Sequence, residues 1–205
     1  MRGLANEWGT EEESKALAEK LRKLVRDSWK YQNIESLKDW EIFVRKNWSI
    51  IKSLKVIQKS FEAKGGSEYE KAFTRLIFYL FAAEGGFTNY MNLVCFLLTL
   101  QGHDLYNYFN GKFACSINEI AKVESLTKER FLDKHGFGLF NKGWDRKMRN
   151  SIAHYDFDIE DNGTTKIEGN PTDVKKKVRQ MLSFLAQVGD NLIYEMRECI
   201  KSRPH

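Results

Sequence analysis

A chain of 205 residues with 42% hydrophobic and 13% aromatic side chains can bury a sizeable core, which excludes a disordered or low-complexity segment. Three widely spaced cysteines, Cys95, Cys115 and Cys199, exclude a disulfide framework or zinc knuckle and point to a reducing, cytoplasmic setting. The net charge of +5 is too mild to imply nucleic acid by itself, but it is unevenly spread: residues 111–150 carry +4 and residues 151–170 carry −4.

Only two prolines, Pro171 and Pro204, interrupt the chain, so long helices are open to most of it. The start, MRGLANEWGTEEESK, has no apolar run and is not a secretory signal. From Thr10, a capping residue followed by Glu11, Glu12 and Glu13, the spacing of Leu17, Leu21, Leu24 and Val25 predicts a first helix. A second is expected from Ser36 to about Ala63, with Trp40, Phe43, Val44, Trp48, Ile51, Leu54 and Ile57 on its apolar face and Gly65-Gly66 ending it. These two make an N-terminal helical hairpin, residues 1–66, packed on a core formed by residues 67–205.

Residues 68–101 read as one apolar helix, bent at Gly85-Gly86 and closed by Gly102. Its stretch 76–100 is long enough to cross a bilayer, but Glu84, Asn89 and Asn92 interrupt it. A central acid alone costs about 3 kcal/mol on insertion scales, so the helix is expected in the bundle core and not in a membrane. HDLYNYFNGKF reads as a connection, and Ser116 with Glu119 forms a capping box for a helix ending near Gly136. Phe157 and Ile159, a turn at Asn162-Gly163, then Thr165 and Ile167 predict a short β-hairpin or extended loop. Pro171 and Thr172 begin a last helix with a stripe through Val174, Val178, Met181, Leu182, Leu185, Val188, Leu192 and Met196. The fold class is therefore all-α, a helical bundle carrying one short hairpin.

Chemistry concentrates in DRKMRNSIAHYDFD, residues 145–158. On a helix over 140–155, Trp144, Met148 and Ile152 form an apolar stripe, while Arg146, Asn150 and His154 repeat every four residues on the other side. Arg149 and Lys147 flank that polar row, and small Ala153 leaves room for a ligand. Arg149 and His154 lie about 140° apart around an ideal helix. Cleaving RNA needs no metal, because the ribose 2′-OH is the nucleophile: a base takes its proton, an acid serves the leaving oxygen, and cations meet the charge on phosphorus. His154 suits the first roles, Arg149 and Arg146 the last, and Asn150 can orient either partner. A solvated helix face, with His154 meeting the helix end, accounts for the same pattern.

Glu84 is either a buried acid turned toward Arg149 or His154, or an exposed residue beside the glycines. His103 and His135, each next to a glycine, read as residues at helix ends without a metal-binding partner. The run KKKVR, residues 175–179, is a wet helix face or a contact for RNA backbone.

RNSIAH, Arg149 to His154, resembles the signature of the HEPN superfamily (higher eukaryotes and prokaryotes nucleotide-binding domains), an Arg followed by Asn or another polar residue and then a His after four to six intervening positions. The resemblance covers residues 68–200 and implies an all-α bundle in which the motif ends a late helix and another long helix follows. It further implies a metal-independent endoribonuclease without a cofactor, active as a homodimer that joins two motifs, in antiviral defence, toxin systems or RNA processing. Carried over, Arg149 and His154 become the catalytic pair and Asn150 the polar helper. Arg146 and Lys147, outside the signature, are candidate RNA contacts, and an antitoxin or regulatory protein is a candidate partner. A non-catalytic helical module that binds nucleotide, RNA or protein is the alternative.

Overall fold

The computed structural model describes residues 8–31, 34–62, 65–103 and 116–202. The protein is all-α with one small antiparallel sheet. Helix α1 (Glu11–Trp29) starts as expected at Thr10, whose hydroxyl accepts from the Glu13 amide while the Glu13 carboxylate accepts from the Thr10 amide. Helix α2 (Ile34–Glu62) buries Trp40 and Phe43, with Ile57 packed at the margin of the core. The side chains of Val44, Trp48, Ile51 and Leu54 lie outside the described residues, as do Ala63, the connection after His103, Cys115 and Pro204.

The central element runs as α3 (Glu68–Phe81), a π-helical turn (Ala82–Phe87) and α4 (Thr88–Leu100). Ser67 and Glu70 supply a second capping box at its start. The bend expected at Gly85-Gly86 is this π turn: the Thr88 amide and hydroxyl both donate to the Ala83 carbonyl, and the Asn89 side chain donates to the Gly85 carbonyl. Gly86 allows a close approach there, because a Cβ would come within 2.8 Å of the Leu185 side chain on the last helix, which would have to shift. Residues 90–98 of α4 are buried without a break, and no helix among the described residues is long and apolar enough to cross a membrane.

The helix expected from Ser116 to Gly136 is two helices. The capping box forms as expected, but α5 (Ile117–Ala121) stops after little more than one turn, and α6 (Ser125–Lys134) starts anew behind Glu124. Short α7 (Gly138–Asn141) and α8 (Arg146–Ala153) follow. The hairpin forms as β1 (Phe157–Ile159) and β2 (Thr165–Ile167), with Phe157 opposite Ile167 and Ile159 opposite Thr165. Gly163 takes φ +83° in the turn, and the Asn162 side chain accepts from the Thr164 amide.

A third strand, β3 (Asn170–Pro171), pairs with β2 through a two-residue turn in which Glu168 and Gly169 both have positive φ. Pro171 therefore belongs to an edge strand and does not open the last helix, where it had been expected. Helix α9 (Val174–Lys201) begins behind Asp173, whose carboxylate accepts from the Lys176 amide. Its stripe through Val174, Met181, Leu185, Val188, Leu192 and Met196 joins Leu17, Leu21, Leu24 and Val25 of α1 and the apolar residues of α4 in one hydrophobic core.

Candidate functional site

Helix α8 is short, and its orientation depends on what holds its ends. At the N-terminus the Asp145 carboxylate accepts from the Met148 amide and from Lys177 Nζ at 2.8 Å. Burial pushes the Asp145 carboxyl up, but Lys177 and the helix amides outweigh it and hold the group below its ordinary range. Tyr79 of α3 clamps the same residue, its hydroxyl accepting from the Asp145 amide at 2.7 Å and donating to the Asp145 carbonyl at 3.3 Å. Burial raises the Tyr79 hydroxyl well above the ordinary tyrosine range. Trp144 thus precedes the helix instead of joining its apolar stripe, and stacks on Phe87 with ring centroids 4.7 Å apart. Met148, Ser151 and Ile152 form the buried face.

The remaining residues share one outward arc of about 160° at a 100° step per residue, in the angular order Arg149, Ala153, Arg146, Asn150, His154, Lys147. Arg149 sits at its edge against the π turn. Its guanidinium makes an ion pair with Glu84 and donates to Asn150 Oδ1 at 2.8 Å. Glu84 is therefore turned toward Arg149, but its side chain is 42% exposed, so it is not the buried acid that was one of the two expectations. Asn150 and His154 are exposed, and His154 forms the C-cap, its amide bonded to the Asn150 carbonyl at 2.9 Å. Arg149 is thus fastened to Glu84 and Asn150, leaving His154 on the far side of the arc.

The basic end of α8 opens onto a cavity of about 260 Å³ lined by Tyr79, Lys142, Asp145, Arg146, Lys147 and Lys177. Lys147 is exposed; Lys142 pairs with Glu13 at 2.6 Å, and Arg146 Nε stands 3.8 Å from Glu129. Burial raises the Glu129 carboxyl despite that guanidinium, and its Oε1 has no hydrogen-bond partner. Lys142 and Lys177 were not singled out from sequence as neighbours of Arg146 and Lys147; the only signal was Lys177's place in the KKKVR run. Such a cavity can hold an anion such as a phosphate.

Behind the site, Lys128 of α6 is 1% exposed and donates to Asn92 Oδ1 at 2.7 Å. Burial drives its ammonium down to about 8 against the pull of Cys95 and Glu84, and burial pushes the Cys95 thiol up to about 12. His103 and His135, expected at helix ends, pack against each other with ring centroids 4.3 Å apart and planes tilted by 50°. No group of three or more His, Cys, Asp or Glu able to hold a metal occurs among the described residues. Comparison of the chain with protein-family models, with curated proteins and with solved structures returned no significant match.

Proposed function

We propose that this protein is a metal-independent endoribonuclease of HEPN type, working as a homodimer. The observation that supports it most directly is the outward arc of α8, on which Arg149 is oriented by Glu84 and Asn150 while His154 stands exposed at the helix end. An orienting carboxylate fixes a guanidinium fork toward a phosphate without burying it. Resemblance of RNSIAH to the HEPN signature supports the same assignment.

In the proposed reaction a neutral His154 removes the proton of a ribose 2′-OH. The 2′-oxygen bonds to the adjacent phosphorus, the bond from phosphorus to the 5′-oxygen breaks, and the departing oxygen takes a proton from His154 of the partner subunit. Products are a 2′,3′-cyclic phosphate and a 5′-hydroxyl. Arg149 meets the negative charge that builds on the phosphoryl oxygens, and Asn150 holds Arg149 in place. Arg146 and Lys147 bind flanking phosphates. A symmetric cleft also accommodates the angle between Arg149 and His154, since each can serve a phosphate with its counterpart from the second chain.

The test is cleavage of single-stranded RNA in excess chelator. Wild type yields cyclic phosphate ends, and His154→Ala and Arg149→Ala each lose about 10²-fold or more in rate. Equal trace cleavage by all three proteins overturns the assignment in favour of a non-catalytic binding module.

A further inference from the structure

We infer that Tyr155 is a stacking subsite for an unpaired base beside the scissile phosphate. This rests on the ribonuclease reading of α8 and extends it from the phosphate to the base. Among the described residues, three helices end in the same closure, in which two successive amides past the cap return to carbonyls of the last turn. At α4 the amides of Gly102 and His103 reach Thr99 and Leu98, at 2.9 and 3.3 Å. At α6 those of Gly136 and Phe137 reach Asp133 and Leu132, at 3.1 and 2.8 Å. At α8 those of Tyr155 and Asp156 reach Ile152 and Ser151, at 3.3 and 2.8 Å.

The closure demands a left-handed backbone at its first residue. Gly102 and Gly136 adopt it freely at φ +83° and +79°, whereas α8 places a tyrosine there at φ +60°. That conformation is unfavourable for a bulky side chain, and packing does not repay it, because Tyr155 is 83% exposed, the most exposed of the large hydrophobic residues described. A strained, solvated aromatic ring is therefore retained directly after His154, just past the C-terminal end of α8. Bases offer a flat π face whatever their identity, so a ring at this place captures a base that has left its own stack. Bases stacked inside a duplex are closed to it.

Strain and binding make opposite demands at this residue, and that separates a functional ring from a structural one. The experiment measures thermal unfolding, solution mass, and binding of a short single-stranded 2′-O-methyl oligoribonucleotide, which cannot be cleaved, for wild type, Tyr155→Gly and Tyr155→Phe. Tyr155→Gly is expected to melt higher than wild type yet bind about 5- to 100-fold more weakly, while Tyr155→Phe binds like wild type. Tight binding by Tyr155→Gly beside tight wild-type binding overturns the subsite and leaves the ribonuclease reading standing. Failure of wild type to bind the oligonucleotide defeats that reading together with the subsite. A lower melting temperature, or conversion of a dimer to a monomer in Tyr155→Gly, assigns the ring to the fold or to the subunit contact and also overturns the proposal.

Discussion

Lys128 is a buried cation whose charge works against the fold. Its ammonium is 1% exposed, meets Asn92 Oδ1 at 2.7 Å, and titrates near 8 against an ordinary 10.5. Each unit of that depression corresponds to about 1.4 kcal/mol, so keeping Lys128 charged in the folded state at pH 7 costs about 3 kcal/mol. Lys128→Met removes the cost but strands the Asn92 carbonyl, which takes back about 1–3 kcal/mol. The double variant Lys128→Met, Asn92→Leu removes both groups and is expected to gain about 3 kcal/mol at pH 7 in urea unfolding.

The sign of the pH dependence follows from the lowered value. Between about 8 and 10.5 the unfolded wild type keeps the Lys128 proton that the folded wild type has lost, so rising pH stabilises the folded wild type. The advantage of the double variant therefore shrinks by about 1.4 kcal/mol per pH unit over that window and nearly vanishes at its upper end. Cys95 acts in the opposite sense, because its thiol is held up to about 12 when folded, but losing Lys128 only raises it further, so the thiol stays protonated in both folded proteins over this window and drops out of the difference. A double variant less stable than wild type at pH 7, or a difference that does not change with pH, would refute a charged, desolvated Lys128.

Tyr79→Phe deletes the hydroxyl that clamps Asp145; it is expected to cost about 1–3 kcal/mol in urea unfolding and, under the proposed mechanism, to slow RNA cleavage by tilting α8. Asp145→Ala removes the α8 cap and should lower stability by about 0.5–2 kcal/mol, with Asp145→Asn recovering most of it in the same assay. Gly86→Ala drives a methyl group to within 2.8 Å of Leu185, so a loss of about 1–3 kcal/mol is expected, relieved when Leu185→Ala is added. Glu84→Gln weakens the hold on Arg149 while leaving the fold intact. Under the proposed mechanism it lowers the single-turnover cleavage rate, whereas an unchanged rate would make the ion pair a surface contact only.

Local chemistry made much of this fold legible. Thr10 and Ser116 cap helices because hydroxyl and glutamate three residues apart satisfy amides within one turn, whatever else is nearby. Asn162-Gly163 closes the hairpin for an equally local reason, and α9 shows its buried stripe through spacing alone. The same step of 100° per residue placed Arg146, Asn150 and His154 on one side of α8 before any neighbour was known. The break between α5 and α6 was not legible, since the apolar spacing on either side of it is compatible with one helix.

Lys128 lies in phase with Phe131 and Leu132, which marks the apolar side of α6, but only Asn92, 36 residues earlier, gives its ammonium a buried partner. Trp144 fits the apolar period of α8, yet Asp145 starts that helix later, because Tyr79 and Lys177 converge on it from α3 and α9. Glu84 had two credible settings from sequence, and the packing of α8 against α3 settled that it meets Arg149 while staying half-exposed.

The chain by itself determined where capping boxes start helices, which faces are apolar, and in what order the polar groups follow one another along α8, since those depend on backbone geometry and residues a few positions apart. Tertiary structure decided which charge faces which and how much water each retains. Those outcomes depend on distance and desolvation between segments far apart in sequence, which no local period encodes.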